Sequence, residues 1–160
     1  EKVDRALRAG AMTVGGSVTI QTLPGYLPIQ NNESFLDLYQ NNAAELVGQE
    51  KISRLPPHVR HGTGSTDMGD ISQLMPVIHP YVEAASGNGH GIDYLIDDYE
   101  LAVVTCAKAM AMTVIDLLAD GSSNASRIIS ETDSTLTISS YLSLLRSMTK
   151  EETFEETISR

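Results

Sequence analysis

The stretch SGNGHGIDY, residues 86–94, sets one imidazole, His90, among Gly87, Gly89 and Gly91. Near neutral pH an imidazole can take a proton, give one up, or bind a metal through either ring nitrogen. Glycines let the backbone turn tightly and come close to a ligand. A glycine-flanked loop after a strand can place an imidazole tightly against a metal. Zinc takes three or four ligands, and the chain does not visibly supply the rest. The other histidines are His58, His61 and His79, and no two of the four show the i, i+4 spacing of a helical metal motif. His79 precedes Pro80 in an apolar stretch, as a hydrogen-bonded core histidine would. His58 and His61 flank the loop segment PPHVRHGTG and read as solvated. The single cysteine, Cys106, lies in an apolar helical pattern and reads as a small buried residue rather than a nucleophile.

GTGSTDMGD, residues 62–70, invites a phosphate-loop reading and fails it. It has no terminal Gly-Lys-Ser/Thr, and Asp67 and Asp70 would repel phosphate. GNGHG lacks the spacing of the dinucleotide fingerprint. GSTDMGD is better read as a helix start, where Ser65, Thr66 or Asp67 accepts a bond from a free amide. A functional reading is compatible with this one: amides left open at such a terminus can hold a carboxylate or amide oxygen of a substrate.

These residues need elements to position them. VDRALRAGAMTV has helical apolar spacing at Val3, Leu7, Ala11 and Val14, stopped by Gly15 and Gly16. SVTIQTL alternates as a strand. PGYLPIQNN is turn chemistry. Asn32 or Ser34 caps the next helix, with Phe35, Leu38, Tyr39, Ala43 and Leu46 inward and Gly48 ending it. PVIHPYVEA reads as a largely buried strand. DYELAVVTCAKAMAMTVIDLLADG is the strongest helix, with Leu101, Val104, Ala107, Ala111, Val114 and Leu118 on one inward stripe suited to packing on a sheet. SSNASRIIS reads as a short helix. TISSYLSLLRSM reads as another, with Ile138, Tyr141, Leu142, Leu145 and Met148 inward, and the charged tail TKEETFEETISR as frayed. Helices and strands alternate, so the class is α/β. Two clear strands and at most a third are too few for a sheet covered on both faces, which places further strands upstream.

Composition bounds the function. At 160 residues, 41% hydrophobic and 20% charged, the chain can form one ordinary domain. A net charge of −10 argues against nucleic acid and against anionic membrane surfaces as partners. No apolar run approaches the ~20 residues of a membrane span. A lone cysteine excludes an internal disulfide framework and favours a reducing, cytoplasmic compartment.

The order of the pieces carries more than any one of them. RALRAGAMTVGGSVTIQTLPGYLP, LYQNNAAELVG, GSTDMGDISQLMPVIHPY, SGNGHGIDY and AKAMAMTVIDLL follow one another. From about Val3 to Leu118 this resembles the C-terminal part of the aminobenzoyl-glutamate hydrolase and dipeptidase-like amidohydrolases of the aminoacylase/carboxypeptidase metallopeptidase superfamily. A weaker likeness continues through YLSLLRSM.

The resemblance implies a two-domain metallopeptidase-like fold. A catalytic α/β sheet domain holds two divalent metal ions, zinc or manganese, and a smaller lid domain often mediates dimers. Residues 1–26 would be the end of the lid and dimerisation domain, and 27–160 the C-terminal part of the catalytic domain. His90 matches the family's final metal-ligand histidine, and Gly64, Ser65 and Thr66 match the segment lining the substrate pocket. The family's usual segment has Glu where this chain has Thr66. Asp67 would be a cap or outer acceptor, and Asp93 a candidate partner for the other ring nitrogen of His90.

The implied activity is metal-assisted hydrolysis of the amide bond of a small peptide or N-acyl amino acid, in a homodimer joined through the lid. A metal-bound water, deprotonated with help from a carboxylate, attacks the amide carbonyl. The remaining ligands and the acidic base would lie upstream. The alternative is a non-catalytic binding or dimerisation module derived from such an enzyme, because one histidine cannot hold a metal pair.

Overall fold

A computed structural model describes residues 1–54 and 65–155. The chain divides into two compact units, residues 1–25 with those from Leu136 on, and residues 26–135. The sequence reading divides the chain at 26/27 and keeps everything after that point together; residues 136–155 instead group with the N-terminal segment.

In the first unit, helix α1 (Lys2–Thr13) ends where Gly15 turns left-handed at φ 65°. The Gly16 amide reaches back to the Ala11 carbonyl at 2.9 Å and that of Gly15 to Met12 at 3.1 Å, which satisfies carbonyls the helix leaves open. Strand β1 (Ser17–Thr22) follows, and its Ile20 is buried.

The C-terminal segment of this unit contributes helix α5 (Ile138–Met148) and a further strand, Lys150–Glu155. Thr137 and Ser140 form a reciprocal capping box at the start of α5. The strand pairs antiparallel with β1, Val18 opposite Phe154 and Thr19 opposite Thr153. The expectation of a frayed tail is corrected here. Phe154 lies under the Arg8 guanidinium at 3.6 Å, Arg8 also pairs with Glu152, and the Thr19 and Thr153 hydroxyls meet at 2.9 Å. Cross-strand partners of this kind give the charged sequence a reason to order.

The second unit is built on two helices. Helix α2 (Glu33–Val47) is capped by Asn32, whose side chain accepts from the Phe35 amide at 2.9 Å, and Gly48 closes it at φ 91°. Phe35, Leu38, Tyr39, Ala43 and Leu46 are half-buried and Asn42 is buried. The short helix α3 (Met68–Ser72) comes next, then two-residue strands β2 (Ala85–Ser86) and β3 (Leu95–Ile96). A π-helical turn, Glu100–Thr105, leads into helix α4 (Cys106–Glu131), and the C-terminal strand Lys150–Glu155 is β4.

Three expectations for this unit are corrected. Residues 76–84 form no strand. Pro76 and Pro80 each remove a ladder donor, and the segment is held by single bonds instead, His79 N to Asn31 Oδ1 at 2.9 Å and Asn32 N to the Val77 carbonyl at 2.9 Å. The stripe Val104, Ala107, Ala111, Val114 and Leu118 faces outward. Helix α4 packs on α2 through the opposite, smaller and more polar side, with Ala109 and Thr113 buried and Asn42 bonding to Thr113 and Asp116. Finally, the helical segment Glu100–Glu131 contains a stretch that passes, by length and composition alone, for one able to cross a membrane. Lys108 and Asp116 hide this from a search for unbroken apolar runs. Non-helical dihedrals at Ala119–Ser122 divide the segment, so the stretch beyond them, up to Glu131, is a separate helical piece, in line with the short helix expected for SSNASRIIS.

Helices and small antiparallel two-stranded sheets thus mix in one chain, consistent with the α/β class.

Candidate functional site

His90 stands in the loop between β2 and β3, which pair as Ala85 with Ile96 and Ser86 with Leu95. Its own backbone is left-handed at φ 65° and its side chain is exposed. The loop is tied from within. Asn88 donates to the Asp93 carboxylate from its backbone amide at 3.3 Å and its side chain at 3.1 Å, and the Gly91 amide reaches the Asn88 carbonyl at 2.7 Å. The glycines have a definite use: a Cβ at Gly87 would collide with the Asp93 carbonyl, and one at Gly91 with the Asp93 carboxylate. The Asp93 carboxylate is therefore engaged with Asn88, an assignment that spacing alone did not suggest. Of the other histidines, His79 is half-buried with its ring edge-on to Tyr81 at 4.9 Å. His58 and His61 lie outside the described residues.

Among the described residues no three His, Cys, Asp or Glu side chains come together to hold a metal ion. These residues by themselves do not fit a metal centre, and a metal at His90 requires ligands from elsewhere in the protein.

The second candidate site is an open groove of about 300 Å³ lined by Tyr26, Leu27, Pro28, Ile29, Ser65 and Thr66. It joins two residues singled out from sequence, Ser65 and Thr66, with a turn segment that carried no functional expectation. Gly64 lies outside the described residues, and His90 is not in the lining. Thr66 Oγ1 accepts the Met68 amide at 3.3 Å, whereas the Asp67 side chain caps nothing. The amides of Gly69, Asp70 and Ile71 bond to the carbonyls of Thr66 and Asp67. The amides expected to stay open for a substrate at the start of α3 are thus used within the turn.

The groove's floor is built by side chains that sequence reading passed over. Asp70 Oδ1 accepts the Leu27 amide at 3.1 Å, Ser72 Oγ accepts the Gln30 amide at 3.0 Å, and Gln73 Nε2 donates to the Pro28 carbonyl at 2.7 Å. Gly69 touches the Leu27 carbonyl so closely that any Cβ would collide with it. The signal available in the sequence was one glycine followed by three hydrogen-bonding side chains, and nothing local names their partner 40 residues away.

Comparison with known proteins points toward peptidases. Similar proteins include the enzymes named Xaa-Arg dipeptidase of mouse (Mus musculus), 31% identical over 125 residues, and human (Homo sapiens), 31% identical over 124 residues. Each alignment covers 74% of this chain but 28% of the relative, so the chain spans little more than a quarter of the length of the curated relatives it matches. No protein-family profile and no solved structure matches the chain. The likeness supports a peptidase-like relationship.

Proposed function

We propose that this chain is the C-terminal part of a metal-dependent amidohydrolase that cleaves the amide bond of a dipeptide or small N-acyl amino acid. The observation that carries the reading is the groove. Ser65 and Thr66 face the apolar segment Tyr26–Ile29, in a chain 31% identical to dipeptidases across most of its length. In this reading the groove holds part of the substrate. His90 is one metal ligand, presented by a loop that glycines and the Asn88–Asp93 bonds keep tight. The other ligands and the general base come from the remainder of the protein, and no bond-breaking step falls to the described residues.

The test uses the complete protein, wild type and His90→Ala, loaded with Zn²⁺ or Mn²⁺ and assayed on a panel of dipeptides and N-acyl amino acids. The expected result is amide hydrolysis that a chelator abolishes and added metal restores, with metal affinity at least ~10-fold weaker in the variant, as loss of ligand support predicts. His90 is exposed, so the variant should fold. Full metal occupancy and activity in His90→Ala would remove His90 from the site. Absence of amide hydrolysis by the wild type would favour a non-catalytic module.

A further inference from the structure

The two walls of the groove are both carried by α3. One wall, Ser65 and Thr66, runs directly into that helix, and the Thr66 hydroxyl holds its first amide. The other wall, Tyr26–Ile29, has no helix or strand of its own. An extended segment without a ladder must satisfy its backbone elsewhere or lose it to water. Here three side chains in or next to α3 do so in succession: Asp70 at Leu27, Gln73 at Pro28 and Ser72 at Gln30. Ser72 and Gln73 are buried, and Ser72 Oγ is fixed in turn by its bond to the Gly69 carbonyl at 2.6 Å. Gly69 lets the segment lie against the helix backbone itself. The spacing between the walls is therefore set by these side chains rather than by loop packing.

We infer that Asp70, Ser72 and Gln73 are positioning residues that set the width of the groove, and through it the affinity for the portion of substrate lying there. This rests on the hydrolase reading given above. Among the described residues the lining offers three hydroxyls, those of Tyr26, Ser65 and Thr66, and the apolar surfaces of Leu27, Pro28 and Ile29. Asp70 is the most informative member, since its bond to the Leu27 amide is charge-assisted and Asn can replace it while still offering an acceptor oxygen.

The experiment compares wild type, Asp70→Ala and Asp70→Asn in the complete protein by amide hydrogen exchange at residues 26–30 and by steady-state kinetics on a panel of dipeptides. In Asp70→Ala, exchange at Leu27 should quicken at least tenfold and KM should rise about tenfold with kcat within twofold, the pattern of lost uniform binding. Asp70→Asn should restore most of both. A merely structural role would lower the yield of folded protein without moving KM in the fraction that remains. Unchanged exchange at Leu27 overturns the clamp. Faster exchange with unchanged KM overturns the positioning role and leaves the hydrolase reading standing. If the wild type hydrolyses no amide, the hydrolase reading falls and the substrate role falls with it, while the exchange data still decide the clamp.

Discussion

Asn42 on α2 donates its side-chain amide to the Asp116 carboxylate of α4 at 2.7 Å and to the Thr113 hydroxyl at 3.2 Å, and Asn42 is only 5% exposed. A polar pair thus sits where two helices pack. Thr113 donates its hydroxyl to the Ala109 carbonyl at 2.7 Å, and Asn124 Nδ2 donates to the Asp116 carbonyl at 3.0 Å. The cluster is satisfied as a unit, which is the condition under which buried polar groups are tolerated.

Breaking one member should cost more than removing the pair. Asn42→Leu keeps the volume but strands the Asp116 carboxylate, and an unsatisfied group of this kind costs about 1–3 kcal/mol. Asn42→Leu with Asp116→Leu should recover part of that loss, because no charge is left without a donor. Denaturant unfolding of the two single variants and the double variant checks this, and additive single effects would show that the bond does not couple the helices.

Tyr39, on the same helix, gives a pH prediction. Burial raises its phenol pKa above the ordinary value, and the nearby Cys106 raises it further. The folded state therefore keeps the proton to higher pH than the unfolded state does. The associated stability is complete below the unfolded value, about pH 10, and is lost as pH rises through the folded value. Tyrosinate absorbance of wild type minus Tyr39→Phe should show a phenol ionising above the ordinary tyrosine value. The stability of Tyr39→Phe should fall less steeply above about pH 10 than that of the wild type. Equal slopes would place Tyr39 in water.

Local signals were legible in the sequence where their chemistry is local. Asn32 as a cap, Gly15 and Gly48 as helix ends, and Ser17–Thr22 as a strand all follow from a few adjacent residues. What failed depended on partners. Residues 150–155 read as a charged tail until β1 and Arg8 are there to pair with them. Residues 76–84 have a strand's apolarity, but two prolines and the lack of a neighbouring strand leave them irregular. In the groove, Ser65 and Thr66 were found through resemblance, while Asp70, Ser72 and Gln73 were missed because their acceptors and donors lie at residues 27–30.

The outward stripe of α4 supplies a prediction decided by magnitude. Val114 is 51% and Leu118 62% exposed, although a helix with this periodicity ordinarily turns such residues inward. Large apolar side chains exposed together tend to bind other apolar surface, so the 160-residue chain expressed alone should bind a hydrophobic dye and self-associate. Val114→Ala with Leu118→Ala should reduce both. The two changes should alter stability by no more than about 0.5 kcal/mol, the usual range for surface sites, and Ala favours the helix. Were the stripe buried in the isolated chain, the same changes would cost roughly 2–5 kcal/mol for the leucine alone. Chemical denaturation of the double variant separates these outcomes, and a loss in the larger range would mean that α4 turns its other face to water.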